Sequence, residues 1–114
     1  MQREGADPLN MLPEDFICDF CEQTWSEDRP MVEGHRGSLI CGKCLTLAHA
    51  STVAQDAGEM PGDDDTCTMC LMHKHDAPHW RSPAADATIC KECVLRGGLM
   101  LVKDPETEWA PPTA

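Results

Sequence analysis

The chain has 114 residues and a formal net charge of −11, from 9 Lys+Arg against 20 Asp+Glu. It has no apolar run near the ~20 residues that a membrane-spanning helix needs. Its aromatic residues are only Phe16, Phe20, Trp25, Trp80 and Trp109, so a large packed core is excluded and a further source of stability is required.

Residues 1–13 are polar, contain Pro8 and Pro13, and read as a flexible lead-in. The segment 16–21, Phe-Ile-Cys-Asp-Phe-Cys, predicts a first strand running into a tight turn between Cys18 and Cys21. Short strands are expected over 31–34 and 38–40, joined by a turn at Gly34 and Gly37. After Cys41-Gly42-Lys43-Cys44 the composition predicts a helix over 45–55, with Leu45, Ala48 and Thr52 on one face and Val53 beside them. Residues 57–66 combine Gly58, Pro61 and Gly62 with an acidic run and read as a linker. A second turn follows at Cys67-Thr68-Met69-Cys70, and Thr88-Ile89-Cys90-Lys91-Glu92-Cys93 matches Leu39-Ile40-Cys41-Gly42-Lys43-Cys44. Gly97-Gly98, at about 1 kcal/mol each, is expected to end the second helix early or to force a restart near Leu99. The tail 104–114 is rich in Pro and Glu and is expected to fray.

The eight cysteines fall into one pattern used twice. Cys18-x2-Cys21 and Cys41-x2-Cys44 are separated by nineteen residues, as are Cys67-x2-Cys70 and Cys90-x2-Cys93, and each cysteine of the second set lies 49 positions after its counterpart. Two Cys-x2-Cys pairs in series describe one tetrahedral four-thiolate zinc site, so the expectation is two structural Zn²⁺ ions per chain and no cysteine left over. Disulfides are the rival reading. The N-terminal residues lack the apolar stretch of a signal peptide, which points to a reducing cytoplasmic setting, and there the same cysteines favour metal. Thioredoxin-like redox pairs would not need this duplicated spacing. Catalytic zinc needs an open fourth position, which four cysteines deny, so no enzyme activity is expected. His35, His49, His73, His75 and His79 suggest a third metal site, but the preferred reading is surface histidines in loops.

At Ile-Cys-x-x-Cys-[Leu/Val] both repeats resemble the N-terminal zinc-binding domain of ClpX, the unfoldase partner of the ClpP protease. Cys18-Asp19-Phe20-Cys21 is similar to that family's Cys-x-Phe-Cys turn, Val32-Glu33-Gly34 to its strand ending in glycine, and Ile89-Cys90-Lys91-Glu92-Cys93 to its helix entry. The second repeat departs more, with Met69 at the aromatic position. The resemblance implies a small, metal-stabilised α+β chain of two tandem treble-clef-like fingers, at 14–56 and 67–103, with 57–66 as linker and 1–13 and 104–114 as flexible ends. It also implies dimerisation, met here by an internal pseudo-dimer or by a homodimer, and recognition of protein substrates or adaptors. No Gly-x4-Gly-Lys-[Ser/Thr] phosphate loop occurs, so unfolding activity does not carry over.

Two function classes follow. The first is a zinc-binding protein-interaction module, adaptor-like or substrate-recognising, in protein quality control and with a partner bearing a basic patch. The second is a nucleic-acid-binding zinc ribbon in transcription. Two four-thiolate zinc centres would take the net charge to about −15, which repels phosphate and favours the first. The distribution qualifies this, because residues 65–103 hold five basic and four acidic side chains. Met31, Met60, Met69, Met72 and Met100 fit an adaptable binding surface or a makeshift core equally well, whereas Trp25 and Trp80 read as structural cover.

Overall fold

In a computed structural model, described for all residues except 8, 64, 75, 113 and 114, the chain forms two β-hairpins, each followed by a helix. Strands β1 (Met31–Glu33) and β2 (Leu39–Cys41) pair antiparallel, with Val32 opposite Ile40. Strands β3 (His79–Arg81) and β4 (Thr88–Cys90) do the same, with Trp80 opposite Ile89. Helix α1 (Gly42–His49) follows β2 directly and continues as one wider turn over Ala50–Ala54. Helix α2 (Lys91–Lys103) follows β4.

Helix α1 starts earlier than composition suggests, because a cysteine caps it; Cys90 holds the equivalent position before α2 without a side-chain capping bond. Cys41 is extended, and its sulfur accepts from the Cys44 amide at 3.5 Å, the role usually given to Ser or Asp. Farther along, the Thr52 hydroxyl donates to the Ala48 carbonyl at 2.8 Å within the widened turn. The segment 16–21 forms no regular strand. Its pairing is confined to single bridges between Gln2 and Phe16 and between Ile17 and Thr24, and residues 19–21 are turn.

Helix α2 is continuous through Gly97 and Gly98, contrary to the expected break. Packing overrides propensity here. A Cβ on Gly97 would lie 3.5 Å from Leu45, and one on Gly98 3.3 Å from the Trp109 ring, so the glycines let α1 and the tail approach α2 closely. Trp109 crosses between the helices and donates from Nε1 to the Gly42 carbonyl (3.1 Å) and the Thr46 hydroxyl (2.9 Å). At the other end the Met1 ammonium meets Asp19 at 2.8 Å, and Arg3 meets the buried Asp15 at 2.6 Å. Within the linker, Glu59 exchanges both backbone hydrogen bonds with His79, each 2.8 Å, and lies along β3.

One hydrophobic cluster spans both halves. Phe20, Ile40, Leu45 and Ala48 from the first share it with Met69, Ile89, Val94 and Leu101 from the second. Phe20 and Met69 are equivalent positions in the two repeats, and both are buried, at 0% and 4% exposure. Each backbone carbonyl of this pair is covered by the opposite hairpin. The Ser82 hydroxyl donates to the Phe20 carbonyl, and the His35 amide donates to that of Met69 at 2.8 Å. Gly34, the counterpart of Ser82 at the end of the preceding strand, has no room for a side chain. A Cβ there would stand 2.5 Å from the Met69 oxygen. The glycine read as a turn former is therefore a close-approach site.

Candidate metal centres

Each Cys-x2-Cys turn is built by the same hydrogen bonds. The Glu22 amide donates to the Cys18 carbonyl at 2.9 Å and the Leu71 amide to that of Cys67 at 2.8 Å. To close the turn, Glu22 and Leu71 both adopt left-handed backbone, φ 62° and 61°. The Asp19 amide then donates to the Leu39 carbonyl, and the Thr68 amide to that of Thr88. In return the Leu39 amide donates to the Asp19 carboxylate (2.7 Å) and the Thr88 amide to the Thr68 hydroxyl (3.1 Å). These clasps hold each turn against the hairpin that delivers the third cysteine. The spacing gave no hint of them, although a short polar residue after the first cysteine of each set was the available signal.

The eight predicted ligands come together as two separate groups. Cys18, Cys21, Cys41 and Cys44 form one; Cys67, Cys70, Cys90 and Cys93 form the other, with all sulfurs of a group within 4.8 Å of one another. Tetrahedral Zn–S bonds of about 2.3 Å place sulfurs about 3.8 Å apart. The observed separations are 3.9 Å for Cys18–Cys44, 3.7 Å for Cys21–Cys41 and 4.0 Å for Cys70–Cys90. These three separations match a tetrahedral zinc site. Amide donors already face the sulfurs. Phe20 and Cys41 donate to Cys18 Sγ, both at 3.3 Å, and Cys90 donates to Cys67 Sγ at 3.4 Å. Such donors offset part of the charge of bound thiolates.

Four thiols this close cannot all ionise without a cation, and the protons distribute unequally. Hydrogen bonds from the Cys18 and Cys44 thiols hold the Cys41 thiol well below the ordinary range, and those from Cys67 and Cys93 do the same for Cys90. The same bonds, led by those to Cys18 and Cys67, push the Cys44 and Cys93 thiols far up. Burial raises Cys21 to about 11, and the hydrogen bond to Cys90 leads in raising Cys67 to about 11. A divalent ion replacing these protons removes the conflict in both groups.

The histidines divide. Among the described residues no metal-holding cluster includes one. His79, read as a surface loop residue, is instead 2% exposed in β3, with Nδ1 2.8 Å from the Ala77 carbonyl. His49 is half-buried and meets Trp109 edge-on at 6.1 Å. His75 lies outside the described residues.

Residues 17–52 match the family model of the ClpX C4-type zinc finger. This stretch holds all four ligands of the first group, β1, β2 and α1. The second group has its own four cysteines on a second turn, β4 and α2, and the family match does not extend to it. No curated protein and no solved structure matches the chain. None of the helices, among the described residues, is long and apolar enough to cross a membrane.

Proposed function

We propose that the chain is a cytoplasmic, zinc-stabilised protein-recognition module, adaptor-like or substrate-recognising, acting in protein quality control, and that it is not an enzyme. The observation that carries this reading is the pair of four-thiolate groups, one of them within a ClpX-type finger. A zinc ion with four sulfur ligands keeps no position for water or substrate, so its contribution is to folding. We take the second finger as a diverged copy of the same treble-clef-like unit, with its equivalent hydrogen bonds as support. The hydrophobic cluster shared by the two halves, with Phe20 and Met69 both buried in it, then stands in for a homodimer. The remaining surface is acidic and suits a partner with a basic patch, whose encounter would be fastest at low salt.

The test is quantitative binding by the zinc-loaded chain, with zinc-stripped protein as control. A specific protein partner is expected, with affinity lost on zinc removal and weakened as salt rises. Selective, tight binding to DNA or RNA at physiological salt, with no protein partner, would overturn the reading.

A further inference from the structure

The two fingers share a scaffold but fill it differently on one face. Helix α1 packs on β3, and α2 packs on β1, so each helix and the opposite hairpin form a groove beside a buried turn residue. In the α1 groove, Trp80 lies over Phe20 with ring centroids 6.0 Å apart and planes at 28°. Position 80 corresponds to position 32, since Trp80 faces Ile89 as Val32 faces Ile40. The α2 groove therefore has Val32 where its counterpart has an indole. It also has Met69 for Phe20 and Gly97 for Ala48. All three changes remove an aromatic ring or a methyl group.

What remains is a cleft of about 250 Å³ with Val32, Met69 and Gly97 on its floor and Glu33, Arg96 and Met100 on its rim. It continues the seam between the fingers, because Met69 and Gly34 belong to that contact. Drug-sized ligands occupy roughly 300–1,000 Å³, so this cleft suits one large side chain instead. We propose that it is the docking site for an aromatic side chain, of indole type, presented by a segment of a partner protein. The inference rests on the protein-recognition reading above and names the subsite within it.

The molecule itself shows the complementary occupant, since the half-buried Trp80 stacks on Phe20 at the equivalent place in the other finger. A buried indole removes about 150–250 Å² from water and can offset-stack or meet a thioether favourably, which Met69 supplies. Arg96 at the rim, paired with Glu92 at 3.0 Å, is a long cation able to cover an aromatic face.

The experiment is a titration of the zinc-loaded, ¹⁵N-labelled full chain with N-acetyl-tryptophanamide, with N-acetyl-leucinamide as comparison. Saturable amide shifts are expected at Gly34, His35 and Gly97, with the leucine probe weaker. Val32→Trp should fill the cleft from within and weaken the probe about tenfold or more, the equivalent of ~1.4 kcal/mol. Gly97→Ala is the safer second variant, because its Cβ would have only ordinary contacts, at 3.5 Å and beyond. It should weaken the probe about threefold. Shifts confined to the surface around Phe16 and Trp25, no saturable shifts, or Gly97→Ala binding unchanged would overturn the proposal. A protein partner that binds Val32→Trp with unchanged affinity would also overturn it, while leaving the protein-recognition reading intact.

Discussion

The first and second fingers agree where metal geometry dictates and differ where only packing is at stake. Their turns, clasps and cysteines correspond residue for residue at an offset of 49. Their strands do not. β3 follows β1 at an offset of 48, and the hairpin turn of the second finger is one residue longer, which restores the register at β4. The equal nineteen-residue spacers thus conceal two different partitions of the same length. A four-ligand site tolerates almost no displacement of its sulfurs, whereas a hairpin tip at the surface can gain a residue at little cost. The lesson is that the metal sites are the fixed points, and the hydrophobic residues between them are free to specialise.

The largest effect should come from breaking one site. Zinc contributes roughly 10–16 kcal/mol to folding of such units, against total stabilities of about 5–15 kcal/mol, so Cys41→Ser should unfold the first finger. Complete separation would leave the second finger intact. The shared cluster predicts otherwise, because Met69 and Val94 would lose Phe20, Leu45 and Ala48 as neighbours. Amide spectra of Cys41→Ser should therefore show loss of dispersion in both halves. An unperturbed second-finger spectrum would restore the picture of two independent modules.

Next in size is the pair at the centre. Phe20→Ala should cost about 3–5 kcal/mol, and Met69→Ala about 2 kcal/mol, because the cleft beside Met69 already leaves it fewer neighbours to lose. Denaturant unfolding of the zinc-loaded variants measures both. Equal costs, or the reverse order, would mean that the two grooves are filled alike.

The glycines sharpen the comparison further. Gly34→Ala should destabilise by about 1–3 kcal/mol, since its Cβ would meet the Met69 carbonyl at 2.5 Å and the backbone cannot swing aside. Gly97→Ala, with neighbours no closer than 3.5 Å and a helical position, should gain about 0.5–1 kcal/mol. Opposite signs in thermal midpoint are the expected outcome.

Smallest are the two left-handed residues. Glu22→Gly and Leu71→Gly each relieve about 1–2 kcal/mol of backbone strain and forfeit about 0.5–1 kcal/mol of chain entropy. A matched gain of about 0.5 kcal/mol is expected for both, because the two turns have the same φ. A gain at one alone would show that the turns are less alike than their hydrogen bonds.

The ligand sets and the hairpin-helix order were legible in the sequence, because tetrahedral chemistry leaves few spacings that work. Cysteine pairs two residues apart, with a return of fixed length, say where the chain must come back. The continuous α2 was not legible. Gly97-Gly98 signals a break locally, and only the nearness of Leu45 and Trp109 explains why the helix tolerates both. Trp109 itself sits in a Pro-rich tail whose composition gives no sign of a docked ring, and its contacts, to Gly42 and Thr46, lie more than sixty residues away. His79 escaped notice for a similar reason. Its strand is three residues long and flanked by Pro78 and Ser82, so neither period nor run length marks it as buried. Each miss involves a contact with a residue distant in the sequence: Leu45 for Gly97, Gly42 and Thr46 for Trp109, and Glu59 for His79.

The central claim is that each group of four cysteines holds its own zinc ion within one shared body. Native mass spectrometry of the zinc-loaded chain tests it most directly. Two zinc ions per monomer, retained together and lost together as chelator is added, is the predicted result. A single zinc per chain, or a stable one-zinc species that keeps the fold of both halves, would contradict it.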